Sequence, residues 1–257
     1  MRPLSITACG CVNGEGFGNA RSWTPWPGSA PRLRWRTLSA RPFDRFGRLD
    51  LLCKYAAAAV EMLGLTPLAD GQARPDVALY LGTEHGSLDV DLKFCQSIGG
   101  PGGASPTLFT YTLPSTALGE IAIRHGISGP SLCLMAGPES GLLALWEGAK
   151  LVRSGEIARC ICIAADAVES LSVAHAYAFL VEAGAEEGLA TVSFTRAAFA
   201  RAGGHWHDPL GRLFGFLAAR DGTAPDSTLY LRAPATLRRR HAMAVLLTAR
   251  RPNGRVG

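Results

Sequence analysis

Thiols are the side chains with the most direct chemistry in this sequence, because a thiolate can act as a nucleophile or a metal ligand. Among the seven cysteines, Cys9 and Cys11 are two positions apart, as are Cys160 and Cys162. This spacing places both thiols of a pair on one face of a β-strand, and we interpret them as small buried core residues. Cys133 lies within an apolar run, where burial would leave its thiol protonated and unreactive. A buried core residue is therefore the favoured interpretation, and a nucleophilic Cys133 is the alternative.

Two short motifs come close to known reactive arrangements without matching them. His205 and His207 would share one face of a strand and could bind a metal, but Asp208 is the only third ligand nearby, so a surface loop is favoured. In residues 137–141 (GPESG) the serine stands one place too late for the Gly-x-Ser-x-Gly turn of hydrolases. We predict a helix start there, where serine and glycine permit close packing.

Two charged groups stand where a ligand could be bound. Glu84 and His85 follow a predicted strand, at the sheet edge where α/β proteins bind ligands, although a solvated loop is the favoured interpretation. Arg238, Arg239 and Arg240 could contact a phosphate group, for example on a carrier protein. A solvated tail is the favoured interpretation of these arginines.

Continuous apolar runs and helical periodicity predict the elements that would position these side chains. The apolar runs predict strands at 4–12, 76–82, 131–136, 158–165 and 188–194. The periodic segments predict helices at 48–63, 87–97, 117–125 and 140–153, with a loop at 22–47 and an extended segment at 106–114. Because the strands are apolar throughout, the pattern is typical of a largely parallel sheet covered by helices on both faces.

Charge is unevenly distributed along the chain. The composition, 47% hydrophobic and 18% charged over 257 residues, excludes a disordered polyelectrolyte. Residues 1–195 carry 15 basic and 18 acidic side chains, a net charge of −3, whereas residues 196–257 carry 11 basic and 3 acidic ones, a net charge of +8. We therefore predict a folded domain at 1–195 and an Arg-rich, partly ordered tail at 196–257. The total of +5 is then no sign that the fold binds nucleic acid, and binding through the tail would require a steep salt dependence.

The sequence also suggests a compartment. It contains no uninterrupted apolar stretch of about 18 residues, so we predict no membrane span. No long apolar region follows Met1, Arg2 and Pro3, so we predict no secretory signal. With an odd number of cysteines, these features predict a reducing, cytoplasmic location, and no motif calls for a cofactor or a metal.

Several segments, taken together and in this order, resemble β-ketoacyl synthases. They are residues 6–12 (ITACGCV), 106–114 (PTLFTYTLP) with 119–123 (GEIAI), 126–131 (GISGPS), 140–142 (SGL) and 187–190 (EGLA). The resemblance spans about residues 4–195 and implies an α/β fold, the N-terminal half of a thiolase-like fold with a five-stranded mixed sheet between helices. The family's two catalytic histidines belong to the other half and have no counterpart here, which implies a half-length, non-condensing relative.

The resemblance also implies where the family's nucleophilic cysteine would stand. In the family it lies seven residues after the Ser of Gly-Pro-Ser and two before the Ser that opens the next helix. Counting from Ser131 and from Ser140 gives Pro138 both times. A helix N-terminus lowers the pKa of a thiol, but proline has neither a nucleophile nor an N–H group. Glu139, the next residue, is predicted to cap the helix.

Relatives of this kind are known as chain length factors, and they pair with a catalytic ketosynthase. The resemblance implies the same role here, a non-catalytic subunit in polyketide, aryl-polyene or fatty-acid-like biosynthesis. Its partners would be a ketosynthase subunit or a second copy of the chain, and an acyl carrier protein. The interface would include Phe109, Tyr111, Leu113 and Pro114. The alternative is an acyltransferase or thiolase-like enzyme that uses another thiol, such as Cys133.

Overall fold

A computed structural model of the 257-residue chain describes residues 4–27, 33–69, 71–184, 188–195, 213–214, 228–232 and 244–249. The strands are β1 (Leu4–Val12), β2 (Gly16–Asn19), β3 (Trp23–Pro25), β4 (Val77–Gly82), β5 (Ser131–Leu134), β6 (Arg159–Val168), β7 (Val173–Ala183), β8 (Ala190–Thr195), β9 (Thr228–Arg232) and β10 (Ala244–Ala249). The helices are α1 (Trp35–Leu38), α2 (Leu51–Glu61), α3 (Leu88–Ile98), α4 (Pro106–Thr110), α5 (Thr116–His125) and α6 (Ser140–Ser154), with 3₁₀ turns at Asp44–Arg48 and Glu169–Leu171.

The described strands form one mixed sheet in the order β5-β4-β6-β7-β1-β8-β10-β9, with β2 beside β1 and β3 beside β2. Strand β4 is parallel to both of its neighbours, β5 and β6, and the other described strand pairs are antiparallel, so the prediction of a largely parallel sheet is wrong. Because β7 is antiparallel to both β6 and β1, strand β1 still runs in the same direction as β4, β5 and β6. The predicted α/β class with a mixed sheet is therefore confirmed, whereas the predicted count of five strands is too low.

The central strand β7 is the largest omission of the sequence prediction. It pairs along its length with β6 on one side and β1 on the other. Four of its eleven residues are alanines, which have a low strand propensity. Neither the composition nor the order of apolar side chains therefore predicted a strand here. Its place in the sheet comes from pairing with two long apolar strands rather than from its own sequence.

The core on one face of the sheet is built around α2. Asp50 begins this helix, and its carboxylate accepts a hydrogen bond at 3.0 Å from the Cys53 amide. The middle of the helix, residues 56–60, is completely buried together with apolar side chains of α5, β4 and β6. Small alanine side chains allow the helix to lie close to the sheet, so this end of the fold is tightly packed.

The opposite face of the sheet is covered by α6, which confirms that helices lie on both faces. Its core contains the paired cysteines Cys9, Cys11, Cys160 and Cys162, so the prediction that each pair shares a face is also confirmed. The sulfurs of Cys160 and Cys162 are 3.7 Å apart, and a Cβ atom at Gly148 of α6 would overlap them. Burial raises the pKa of the Cys9 thiol to about 12, so it remains protonated.

Two predictions of irregular structure are wrong. Residues 106–114 are not extended, because α4 begins at Pro106, and the Ser105 hydroxyl accepts a hydrogen bond from the Leu108 amide at 3.4 Å. The predicted loop at 22–47 contains β3, α1 and a 3₁₀ turn. In α1 the buried Trp35 ring stacks under the Arg124 guanidinium, 4.2 Å from the ring centroid. Contacts with α5, which local periodicity does not report, therefore order this segment.

Parts of the predicted tail are described. Strand β10 pairs with β8 and β9, so two strands of the predicted tail belong to the sheet. Leu213 and Phe214 are buried in the α6 core, where Phe214 contacts the ring of Tyr177 at 6.3 Å between centroids. His205, His207, Asp208, Glu187 and Arg238–Arg240 lie outside the described residues.

Candidate functional site

The turn between β5 and α6 lies where the parallel strands β4, β5 and β6 end together, the usual place for a site in an α/β fold. The Ser140 hydroxyl closes this turn. It donates a hydrogen bond to the Gly137 carbonyl at 2.6 Å and accepts one from the Ala136 amide at 2.8 Å. Gly137 has a φ of 70°, a conformation that favours glycine. Ser140 is 1% exposed, so its hydroxyl acts as an internal brace.

Pro138 and Glu139 stand between the strand and the helix and have different surroundings. Pro138 is exposed, whereas Glu139 is buried and is the N-cap residue of α6. The Glu139 carbonyl accepts a hydrogen bond from the Leu143 amide at 2.9 Å, but its side chain accepts none from the first turn. The prediction that the Glu139 carboxylate caps the helix is therefore wrong, and its backbone fulfils the N-cap position instead.

The start of α6 is held against the end of β4 by a glycine. A Cβ atom on Gly82 would overlap the Ser140 carbonyl and come within 2.6 Å of the Gly141 nitrogen. The side chain that any other residue would bring here cannot be accommodated without moving one of the two backbones. Gly82 therefore fixes how closely the helix approaches the sheet.

A buried carboxylate fixes the loop after β4. Asp166, at the end of β6, accepts hydrogen bonds from the Thr83 hydroxyl at 2.9 Å and from the amides of Glu84 and His85 at 3.0 and 2.8 Å. Its Oδ1 atom also lies 3.2 Å from Nδ1 of His85. The backbone of Glu84 and His85 is thus tied to β6, while the Glu84 side chain is exposed, as in the solvated loop that the sequence favoured, and His85 is half-buried. Sequence reasoning missed Asp166, although a lone acidic residue inside the apolar run of β6 was a signal.

Cys133 lies on β5, opposite Leu81 of β4. The thiol is half-buried rather than fully buried as predicted, because β5 is an edge strand, with a neighbour on one side only, among the strands that the structure describes. Burial raises the pKa of Cys133 above the ordinary thiol value. The thiol is therefore protonated near neutral pH, which makes it a poor nucleophile.

The four predicted interface residues are unequally exposed. Phe109 and Leu113 are 63% and 66% exposed, while Tyr111 is half-buried and packs against the α2 core. Pro114 and Met135 are neighbours, since a Cβ atom on Gly86 would lie 2.9 Å from both side chains. Met135 is 56% exposed. Leu132 of β5 is exposed as well. We call Leu113, Pro114, Leu132 and Met135 the apolar edge.

Two kinds of site are absent from the part of the chain that the structure describes. Among those residues, no group of three or more histidine, cysteine, aspartate or glutamate side chains is arranged to hold a metal ion. None of the helices described there combines the length and the apolarity needed to cross a bilayer.

Comparison with known sequences decides the family. The profile described as "Beta-ketoacyl synthase, N-terminal domain" matches residues 34–186, which include β5, the turn and all of α6. The chain belongs to the β-ketoacyl synthase family. A curated relative, the tetracenomycin polyketide synthase ketoacyl synthase alpha subunit of Streptomyces glaucescens, is 31% identical over 136 residues. That match covers 50% of this chain and 31% of the relative, so this ketosynthase-family chain spans about a third of the relative's length.

Solved structures of ketosynthases share the fold. The ishigamide ketosynthase/chain length factor matches with a TM-score of 0.59 and 21% identity over 75% of this chain and 67% of its own. The ketosynthase in complex with its chain length factor from Xenorhabdus doucetiae matches with a TM-score of 0.61 and 15% identity. The latter match covers 96% of this chain and 99% of the other, so the two chains are similar in length as well as in fold.

Proposed function

We propose that this chain is a non-catalytic, chain-length-factor-type subunit of the β-ketoacyl synthase family that pairs with a catalytic ketosynthase in the synthesis of a polyketide or a related acyl chain. The observation that carries the proposal is the chemistry of the turn before α6. Pro138 stands at the position to which the family resemblance assigns the nucleophile. The nearby Ser140 hydroxyl is engaged in two hydrogen bonds within the turn.

The apolar edge supports the pairing. Among the described strands β5 is an edge strand, and an exposed edge beside apolar side chains favours association with another chain. Leu132 on this strand is 38% exposed and Met135, directly after it, 56%. Two of the structural relatives are described as a ketosynthase with a chain length factor, which supports a ketosynthase as the partner. A third is described as a type II polyketide synthase acyl-carrier protein in complex with its ketosynthase, which supports a carrier protein as the source of the acyl chain.

The experiment has two parts. The chain is co-expressed with candidate ketosynthases, and the purified complex is sized by light scattering; we expect a stable complex of one copy of each. The chain alone is then incubated with malonyl- and acyl-carrier protein and examined by intact mass spectrometry, where we expect no acylated cysteine. Rapid acylation of one cysteine, Cys133 for example, would instead establish the acyltransferase alternative.

A further inference from the structure

A cavity of about 890 Å³ lies away from the α6 turn, on the α2 side of the sheet. Its walls are the first turn of α2, helices α3 and α4, and the connection from β6 to β7. Apolar side chains make up much of the lining, among them Leu49, Tyr55, Val90, Leu108 and Val173. The volume is within the range of protein binding pockets.

Four cationic side chains surround this cavity, and we call them the cationic rim: Arg34, Arg48, Lys54 and Lys93. None of the four side chains forms a hydrogen bond or an ion pair with another residue in the described ranges. Arg45, Arg124 and Arg159 are paired with carboxylates, Arg45 with Glu120 at 2.7 Å, and the rim differs from them in collecting four unpaired cations around one cavity. An apolar cavity bordered by unpaired cations favours an occupant that is both apolar and anionic.

Two of the three carboxylates that line the cavity, those of Asp50 and Asp89, are committed to the protein's own backbone and side chains, and Glu169 is the third. Asp50 accepts the hydrogen bond from Cys53 that starts α2, and burial raises the pKa of its carboxyl group. Asp89 accepts hydrogen bonds from the Glu169 amide and from the Ser170 hydroxyl, the latter at 3.2 Å. These two groups brace the walls of the cavity. Lys54 is near enough to Asp50 to counter the rise in the pKa of that carboxyl group, and the four cations of the rim outnumber the three carboxylates of the lining.

The cavity is continuous with the surface proposed above for pairing. Leu108 and Tyr111 line it, and between them on α4 lies Phe109, which is 63% exposed. The apolar edge begins two residues after Tyr111, at Leu113. A chain that covers the apolar edge therefore reaches the mouth of the cavity, whereas a free small molecule would leave that edge uncovered.

We propose that the cavity and its cationic rim receive an acidic, apolar segment of the partner ketosynthase. Apolar side chains of that segment lie on the floor, and its carboxylates lie among Arg34, Arg48, Lys54 and Lys93. The proposal rests on the proposed function for the identity of the partner, while the chemistry of the segment follows from the cavity itself.

The chemistry is tested on the full chain with a fluorescent twelve-residue peptide that alternates Glu with Phe and Leu, and with its Lys-containing counterpart. We expect anisotropy to detect binding of the acidic peptide only, and the affinity to fall as salt is raised. The double variant Lys54→Glu/Lys93→Glu should weaken this binding about tenfold. The matched control Lys150→Glu/Arg153→Glu changes the net charge equally, on α6, and should bind as the wild type does. Equal binding of both peptides, or an unchanged affinity in the rim variant, overturns the proposal.

A second set of measurements distinguishes the acidic segment from a small amphiphile as the occupant of the cavity. It also distinguishes failure of this inference from failure of the proposed function. Decanoate and decyl phosphate are titrated by calorimetry, and rim-dependent binding of either one without binding of the acidic peptide would overturn the proposal in favour of a small amphiphile. With the purified ketosynthase complex, the rim variant should again show about a tenfold loss of affinity. A complex that forms normally with the rim variant would overturn this inference and leave the proposed pairing intact. Failure of the chain to pair with any ketosynthase, with the acidic peptide still bound, would contradict the proposed function and the identity of the partner, and would leave the chemistry assigned to the cavity intact.

Discussion

Strand β5 and helix α6 are neighbours in the chain, yet their outer surfaces differ in chemistry. Leu132 and Met135, on and just after β5, are exposed, as are Leu113 and Phe109 in the segment at 106–114. Within the described residues, α6 has no large exposed apolar side chain; its outer face instead carries an ion pair between Lys150 and Glu147 at 2.8 Å. An exposed pair of this kind contributes little to stability but keeps a surface hydrated. The difference indicates that a partner would bury the β5 side rather than α6.

The largest expected effect comes from introducing charge into the apolar edge. Leu132→Asp/Met135→Asp should abolish the complex with the ketosynthase, with a loss of at least about 2 kcal/mol in binding free energy, because carboxylates would be buried without partners. Surface plasmon resonance measures the affinity, and circular dichroism confirms the fold. The control Arg153→Asp on α6 should bind normally. If the complex forms with the β5 variant and is lost with the α6 variant, the partner buries α6 rather than the β5 side.

The second test addresses how α6 is fixed to the sheet. Gly82→Ala should lower the free energy of unfolding by about 3 kcal/mol, because the new methyl group overlaps the backbone of Ser140. Urea denaturation provides the measurement. Gly99→Ala is the control, since a Cβ atom there meets no atom within 4 Å, and it should change the stability by less than about 0.5 kcal/mol. Equal effects of the two variants would show that the β4–α6 contact is not close.

The third test concerns the brace within the turn. Ser140→Ala removes the acceptor of the Ala136 amide and the donor to the Gly137 carbonyl, and should lower the free energy of unfolding by about 1–2 kcal/mol. Ser154→Ala, at the exposed end of the same helix, should change it by less than about 0.5 kcal/mol. If Ser140→Ala leaves the stability unchanged, the Ser140 hydroxyl is not a structural brace and is available for chemistry. That result would contradict the proposed non-catalytic function.

The smallest expected effect is a difference in thiol reactivity at the two ends of α6. Pro138→Cys in a Cys95→Ser background should react with iodoacetamide about tenfold faster than Ser154→Cys, because the helix dipole stabilises a thiolate at the N-terminus and disfavours it at the C-terminus. Mass spectrometry of the labelled peptides gives both rates and that of Cys133. Equal rates at positions 138 and 154 would argue that the position of Pro138 cannot activate a nucleophile.

Sequence patterns were sufficient where one element carries its own signal. The apolar run of β1, the capped and alanine-rich α2, and α6 after its Gly-Pro turn were all predicted close to their observed bounds. Strand β7 and helix α4 were not, since β7 depends on pairing with two neighbours and α4 on a serine cap in a short segment. Propensity is a weak guide in both situations.

The candidate site was predictable in its position and not in its internal contacts. Counting from Ser131 and Ser140 located the turn, because strand, turn and helix follow one another in the chain. The ties of Asp166 to Thr83 and His85 join residues more than 80 positions apart, so no local pattern reports them. The cationic rim likewise draws Arg34, Lys54 and Lys93 from three separate segments.

The close fit of Gly148 against Cys160 and Cys162 has a consequence for oxidation. Thiols that burial keeps protonated react slowly with peroxide, because the thiolate is the species that is oxidised. Cys9 and Cys162, with pKa values raised in this core, should therefore outlast Cys95, which is exposed on α3. Since a sulfonate has no room beneath Gly148, oxidation of the core would require α6 to leave the sheet, so the redox state of these sulfurs records whether the fold has opened.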